Sequence, residues 1–211
     1  SLAYGVVRGI NPKLSEDERK EATKGVKSGL DILNELIDEN RSNTTDDFLS
    51  TLILAEEEGE KLSNWEMCAL TGAVLAAGSD TAVDLHSYLI KALLSHPEQL
   101  EELKQDEELI QNAISETLRY ESSGKTGLAR YVSEDMELLG VEVKKGQMIQ
   151  LITSTAGLDP NTYDDPDTFD IHRNHDKSIS FGQGPHYCIG VTLVRSQTEI
   201  MLREWFNRFP N

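Results

Sequence analysis

Apolar and polar positions follow one another along this chain in an order that predicts helices first and short strands later. Four runs place apolar residues every three or four positions, the spacing of one helix face, and they end near Asn40, Gly59, Ser95 and Tyr120. Ser15 with Glu18, and Ser63 with Glu66, have the spacing of a capping box at a helix start. The chain up to Tyr120 is therefore predicted to be helical between its turns.

From Leu128 onward the apolar residues alternate, which is the pattern of short strands. The β-like runs predict one small sheet, and they cover residues 130–133, 136–139, 141–143 and 148–153. The fold class is thus mainly α with a small β portion (α+β). We expect a single domain over residues 1–211, built from a helical scaffold (1–62), a central helix (63–95), a further helix (106–121), the small sheet (128–153), an irregular meander (159–190) and a last helix (190–208).

The middle of the central helix is apolar nearly all round, so we expect it to be buried across the molecule. Gly78 costs about 1 kcal/mol relative to alanine in a helix, which asks for a reason such as a ligand close to the backbone. Thr81 is predicted to bond back to the carbonyl of Ala77 and to bend the helix there. Asp80 beside it is an acid in an apolar setting. A packing glycine next to two capping-type residues is the plainer alternative.

Composition and charge exclude several classes of partner. The net charge of −17 disfavours nucleic acid and anionic membranes. No apolar run reaches the length of a membrane span, and we expect no signal peptide. Cys68 and Cys188 do not make a disulfide framework, so a cytoplasmic location is expected.

The stretch FGQGPHYCIG, residues 181–190, is the candidate site. Two glycines and a proline before Cys188 prevent regular structure there, and apolar residues at helical spacing follow Gly190. Cys188 therefore lies where a loop turns into a helix, and the unpaired amides and helix dipole favour a thiolate. Such a thiolate serves as a nucleophile or as a metal ligand.

Three features favour a ligand over a nucleophile. Arg195 lies too far along the last helix to serve a phosphate-binding loop, and no second cysteine is near enough for a redox pair or a zinc site. Phe181 and Tyr187 add flat apolar surface that suits a planar cofactor. A buried structural cysteine and a cysteine-dependent hydrolase or transferase remain as alternatives.

Six positions of this stretch resemble the haem-binding loop of the cytochromes P450, the haem-thiolate monooxygenases, and in particular their bacterial soluble type. The matching residues are Phe181, Gly182, Gly184, His186, Cys188 and Gly190. Glu116-x-x-Arg119, joined by Arg173, resembles the second signature of that family, and residues 77–81 resemble its oxygen-binding groove. The resemblance covers the whole chain but only the C-terminal half of a family member.

This resemblance implies haem b (iron-protoporphyrin IX) with the Cys188 thiolate as its axial metal ligand. It also implies that Asp80 and Thr81 relay protons to dioxygen, and that Glu116, Arg119 and Arg173 form a structural network. The other implied cofactor contacts are Ala77, Gly78, Arg130, Phe181, Gly182, His186 and Gly190. Thr168 and Ser178 stand where the family often has an arginine and a histidine.

The implied reaction inserts one oxygen atom of O2 into a C–H bond of a small apolar organic substrate. The electrons would come from a donor of the ferredoxin and ferredoxin reductase type. An excess of cationic side chains between His172 and Arg195 would dock that acidic donor, or is only a solvated patch. The alternative function is a non-catalytic haem-binding or interaction fragment without a complete substrate pocket. Homo-oligomerisation or segment exchange could cover its exposed core.

Overall fold

The computed structural model describes residues 14–57, 62–122 and 127–209. The chain forms two compact units, Ser1–Thr81 and Ala82–Asn211. The single domain expected from the sequence stays a prediction.

The first unit contains helices α1 (Glu16–Ser42) and α2 (Phe48–Glu57) and the first half of α3 (Asn64–Ser95). Both predicted capping boxes are confirmed, because the Ser15 and Ser63 hydroxyls accept from the third amide of each helix at 3.3 Å. The glutamate side chains accept in return from the serine amides at 3.0 and 2.8 Å. Gly59, expected to end α2, lies outside the described residues.

A small apolar core holds the first unit together. Its buried members come from all three helices, and they are Leu33, Ile37, Ile53, Met67 and Cys68. The apolar faces of α1 and α2 thus pack as their periodicity predicts.

The middle of α3 departs from the prediction of a buried helix. Leu75 is 50% exposed and Val83 is 62% exposed, and the side chains from Ala77 to Thr81 are exposed as well. The described residues cover one face of α3, through Met67 and Ala76. An all-round apolar pattern indicates that a helix needs cover on every side, but it does not say which part of a protein supplies that cover.

The second unit is built on the end of α3 together with α4 (Pro97–Gln105), α5 (Ile110–Tyr120) and α7 (Val191–Arg208). A 3-10 turn, Glu107–Leu109, precedes α5 where the sequence predicted continuous helix. The core contains one cluster of buried side chains from these helices and the meander, and its largest members are Leu89, Leu93, Leu103, Ile110, Ile114, Phe169, Ile171 and Leu202.

The predicted single sheet is wrong, because the described strands form two antiparallel pairs. Strand β1 (Leu128–Tyr131) pairs with β4 (Met148–Leu151). Between them in the sequence, β2 (Met136–Leu138) pairs with β3 (Val141–Val143) to form a hairpin.

The last predicted strand also stops short of residue 153. A short helix, α6 (Thr153–Ala156), begins instead, and Thr155 bonds the Ile152 carbonyl through its amide at 3.2 Å and its hydroxyl at 2.8 Å. These local bonds compete with the inter-strand hydrogen bonds that would be needed to extend β4.

An irregular meander leads from α6 to α7, as expected, and α7 starts within one residue of its predicted position. The mainly α class with a small β portion is confirmed. Among the described residues, no helix combines the length and the apolar character that crossing a bilayer requires.

Candidate functional site

The loop before α7 is closed by its own backbone. Gly182 and Gly184 have φ angles of +74° and +72°, which side-chain-bearing residues rarely adopt. The amide of Tyr187 donates to the Gly184 carbonyl, and the amide of Cys188 donates to the Phe181 carbonyl, both at 3.0 Å. The loop therefore fixes Cys188 three residues before the helix begins.

The Cys188 thiol is free and exposed, so the alternative of a buried structural cysteine is wrong. A Cβ atom placed on Gly190 would lie 3.8 Å from its sulfur, which puts the thiol against the first turn of α7. Apolar neighbours are exposed around it, with Ile189 at 92% and Leu193 and Tyr187 above one half. The loop thus presents one sulfur atom within an apolar surface.

Arg195 reaches from α7 to α5. Its guanidinium donates to the Gln111 carbonyl at 3.3 Å and to the Ser115 hydroxyl at 3.0 Å, and it lies 5.4 Å from the centre of the Phe181 ring. Burial lowers the pKa of this side chain. These contacts hold α7 and Phe181 against α5. The guanidinium of Arg195 is therefore engaged by α5, which agrees with the prediction that Cys188 is a metal ligand and not the nucleophile of a phosphate-binding loop.

Glu116 and Arg119, one turn apart on α5, form a fully buried ion pair. Both side chains are 0% exposed, and two guanidinium nitrogens of Arg119 each reach a carboxylate oxygen of Glu116 at 2.7 Å. The same guanidinium donates to three carbonyl oxygens of the meander, those of Gly157 (2.8 Å), Pro166 (2.7 Å) and Thr168 (2.9 Å). All its donors are used inside the protein, which suits a charge held away from water.

Arg173 joins this pair from the segment before the cysteine loop. Its Nε lies 3.4 Å from Glu116 Oε1, and its terminal nitrogens donate to the carbonyls of Asp164 (2.6 Å) and Thr168 (3.1 Å). The structure therefore brings Glu116, Arg119 and Arg173 together. Their predicted role in holding the cysteine loop stays a prediction.

Two amide side chains that the sequence reasoning missed bind the same meander. Gln99 donates to the Phe169 carbonyl and accepts from the Ile171 amide, both at 2.9 Å. Asn112 donates to the Ile171 and Arg173 carbonyls, the latter at 3.1 Å. A signal for Asn112 was present, because it lies one turn before Glu116 and therefore on the same face of α5.

The predicted cationic surface is much smaller than the sequence indicated. Arg173 is bound to backbone carbonyls and Glu116, and Arg195 is bound to α5. His175, the third inward-facing member, has a buried ring beside Glu116. Guanidinium groups close to unpaired carbonyls turn inward to satisfy them.

The predicted groove residues lie in the first unit, whereas the cysteine loop lies in the second. The Thr81 hydroxyl donates to the Ala77 carbonyl at 2.6 Å, as predicted. A Cβ atom on Gly78 would meet nothing within 4 Å, and Asp80 is exposed. The juxtaposition of this groove with Cys188 stays a prediction.

The two other predicted cofactor contacts are both exposed. Arg130 lies on β1 and donates to the carbonyl of its neighbour Ala129 at 2.9 Å. His186 lies in the 3-10 turn of the cysteine loop, two residues before the thiol. The bond of Arg130 is therefore local to β1, whereas His186 belongs to the same loop as Cys188.

The donor set at Cys188 fits a metal ion that arrives inside a macrocycle. Across residues 14–57, 62–122 and 127–209, no three His, Cys, Asp or Glu side chains are grouped closely enough to hold a metal. The described residues therefore offer no set of protein ligands for a bare metal ion at Cys188. A haem iron takes a single cysteine ligand from the protein, and an exposed sulfur that lies in the chain between the exposed side chains of Tyr187 and Ile189 would suit that role.

Comparisons with known proteins agree on one family. The family model for cytochrome P450 matches residues 6–210. Epothilone C/D epoxidase of Sorangium cellulosum is 39% identical over 209 residues, 99% of this chain and 49% of that protein. The polyketide biosynthesis cytochrome P450 PksS of Bacillus subtilis (strain 168) is 35% identical over 197 residues, 93% of this chain and 49% of that protein. The chain thus spans about half the length of these curated relatives.

Solved structures give the same result. Epothilone B-bound cytochrome P450epoK matches with a TM-score of 0.89 and 34% identity over 100% of this chain and 53% of that one. P450BioI, in complex with an acyl carrier protein ligated to hexadec-9Z-enoic acid, matches with a TM-score of 0.89 and 32% identity over 100% and 54%.

Proposed function

The chain belongs to the cytochrome P450 family, and from this premise we propose that it is the haem-binding part of a monooxygenase. Family members bind haem b through a cysteine thiolate. The observation that carries the proposal is the exposed Cys188 thiol, fixed by the loop's own hydrogen bonds against the start of α7.

The residues of the loop divide the work of holding the cofactor. Cys188 would supply the thiolate that binds the haem iron, and the left-handed glycines Gly182 and Gly184 keep side chains away from the backbone beside it. Ile189 and Leu193 offer apolar surface for the macrocycle. His186 and Arg130 are proposed to donate hydrogen bonds to its carboxylate groups.

Haem bound through a thiolate supplies the activation of dioxygen, since the thiolate pushes electron density that favours O–O cleavage. The protein supplies the protons. The Thr81 hydroxyl already donates to the Ala77 carbonyl, so its oxygen lone pairs are available to accept a hydrogen bond and to orient a proton donor. Asp80, next to it and exposed, is proposed to take protons up from solvent and pass them on.

For substrate and partners we propose an apolar organic compound, O2, and an electron donor of the ferredoxin type, in the cytoplasm. The relatives include an epothilone epoxidase and a protein of polyketide biosynthesis, which favours an apolar substrate of that chemical kind. The product would carry one oxygen atom inserted into a C–H bond.

The absorption spectrum of the reduced, carbon-monoxide-treated protein tests the cofactor proposal. We expect a main band shifted to the red, as thiolate ligation produces, and loss of that band in Cys188→Ser. Cys68→Ser is the matched control, because Cys68 is buried in the first unit and bonds Asn34 at 3.2 Å. An unchanged spectrum in Cys188→Ser would refute the proposal.

A second candidate is a haem-binding fragment that does not turn over substrate. The exposure of Leu75 and Val83 on the groove helix favours it, because a catalytic groove must exclude water. Incubation with a reduced ferredoxin system and apolar test compounds separates the two functions. Oxygenated product supports the monooxygenase, whereas a red-shifted band without product supports the fragment.

A further inference from the structure

His175 is a buried histidine that neither the cysteine loop nor the proposed reaction uses. Its side chain is 10% exposed, and its Nε2 lies 3.7 Å from Glu116 Oε2. Neither ring nitrogen has a hydrogen-bond partner among the described residues. A buried polar group without partners is costly, so its presence at the centre of the cluster asks for an explanation.

Charged groups face this ring from three elements. Glu116 and Arg119 reach it from α5, Arg173 from its own segment and Arg195 from α7. Burial lowers the pKa of His175, Glu116 raises it, and the three arginines lower it further. The ring is therefore neutral at neutral pH, in a cluster that already carries more positive than negative charge.

The two carboxylate oxygens of Glu116 accept different numbers of hydrogen bonds. Its Oε1 accepts from Arg119 (2.7 Å), from the Asp170 amide (2.9 Å) and, more weakly, from Arg173 (3.4 Å). Its Oε2 accepts from Arg119 Nε at 2.7 Å and faces His175 on its other side. A protonated ring would donate to this oxygen and compete with Arg119 and Arg173 for the carboxylate.

We propose that His175 is an acid-sensitive positioning residue for the segment that leads into the cysteine loop. In its neutral form the ring packs beside Glu116 and leaves that carboxylate to the two arginines. Once protonated, it adds a further buried cation and weakens the attachment of the segment to α5.

The segment connects His175 to the loop by short, local bonds. The Ser178 amide donates to the His175 carbonyl at 2.9 Å, and the Ser178 and Ser180 hydroxyls lie 3.0 Å apart. Ser180 in turn donates to the Leu118 carbonyl of α5 at 3.3 Å, next to Phe181. A displaced His175 therefore displaces the start of the loop, and the consequence for ligation at Cys188 rests on the proposed function.

The sign of the pH effect follows from the lowered pKa. The unfolded chain binds the proton near the ordinary value of 6.5, and the folded chain binds it only at lower pH. His175 therefore leaves stability intact above about pH 6.5 and reduces it as the pH falls from there towards the folded pKa. Within that window the folding equilibrium constant falls by up to about tenfold per pH unit.

Thermal unfolding between pH 5 and pH 8 tests this, on the whole chain and on His175→Gln, which cannot take up a proton. We expect the midpoint of the parent to fall by roughly 3–6 °C per pH unit below pH 6.5 relative to that of His175→Gln. His172→Gln is the control on the same segment, since His172 is 53% exposed and pairs with Glu102 outside the cluster. It should keep the acid sensitivity of the parent.

Titration of the histidine ring protons by NMR keeps the proposal testable even where the variant folds poorly. The His175 signal should titrate below the value in an unfolded peptide, and a signal at or above that value would overturn the proposal. Identical pH profiles for the parent and His175→Gln would overturn it as well.

The red-shifted absorption band distinguishes a failure of the His175 proposal from a failure of the proposed function. A band that is lost in acid in the parent but kept in His175→Gln supports both ideas. No band at any pH, with the difference in unfolding profiles intact, removes the proposed function and leaves the role of His175 standing.

Discussion

The buried pair on α5 gives the sharpest prediction about stability. Replacing Glu116 by glutamine keeps the size of the side chain and removes its charge. Arg119, which is 0% exposed, would then lose the carboxylate that it contacts through two bonds of 2.7 Å. The amide can still accept from the Asp170 backbone, which Glu116 now binds at 2.9 Å.

The size of the effect follows from which interactions remain. Removing one partner of a buried ion pair costs about 3–5 kcal/mol, because the other charge stays buried without compensation. Arg119 keeps its bonds to three meander carbonyls, so we expect the lower part of this range, about 3–4 kcal/mol. That is at least a fifth of the roughly 5–15 kcal/mol that stabilise a typical domain. The unfolding temperature should fall by about 6–16 °C.

Urea unfolding followed by circular dichroism measures this free energy. Glu204→Gln is the matched control, because Glu204 pairs with Arg208 at 3.2 Å on the exposed side of α7. An exposed pair one turn apart contributes about 0.3–0.5 kcal/mol, so this control should unfold almost as the parent does. A loss for Glu116→Gln within about 1 kcal/mol of the control would refute the reasoning that the pair holds the meander.

Further predictions concern two glycines, two cysteines and the groove threonine. Gly157→Ala should destabilise the chain by more than about 2 kcal/mol, because the new Cβ would press against a carbonyl oxygen of α5. Gly78→Ala should instead stabilise the chain by up to about 1 kcal/mol, since its Cβ would meet nothing within 4 Å. Urea unfolding measures both, and equal shifts would contradict the geometry. Iodoacetamide should label the exposed Cys188 of haem-free protein well before Cys68, whose thiol pKa is raised by burial, and mass spectrometry of timed samples checks the order. Thr81→Val should change the free energy of unfolding by less than about 0.5 kcal/mol but lower the product formed per O2 consumed, and an unchanged ratio would remove Thr81 from proton delivery.

The helices could be predicted because their signals are local. Ser15 and Glu18 lie one turn apart, and their reciprocal bonds need no other part of the chain. The strand boundaries were less accurate, because Thr155 bonds the Ile152 carbonyl and diverts the chain into α6. The prediction that the middle of α3 is buried was wrong for a different reason. Leu75 and Val83 need apolar neighbours to cover them, and the periodicity of a single helix does not specify which residues supply that cover.

The residues of the candidate site also divide into those with a local signal in the sequence and those without one. Cys188 could be found because Gly182 and Gly184 mark the backbone turn around it within a few positions. Gln99 and His175 could not, because their partners lie on elements far along the chain. A glutamine bound to a distant carbonyl looks in sequence like any surface glutamine.

The polar stripe on α5 explains why this fold buries a charged pair at all. The meander after α6 lacks regular structure, yet buried backbone amides and carbonyls must find partners. Side chains of α4 and α5 supply them, and the bonded backbone groups belong to Gly157, Pro166, Thr168, Phe169, Asp170, Ile171 and Arg173.

Asn112, Glu116 and Arg119 lie at successive turns of one helix face, so a single rigid element fixes backbone groups scattered from residue 157 to residue 173. The desolvation of a buried pair is thereby offset by bonds that the meander cannot form with itself. It follows that a substitution in this stripe should loosen the cysteine loop without touching it, whereas a substitution on the apolar face of α5 should loosen the helical core first.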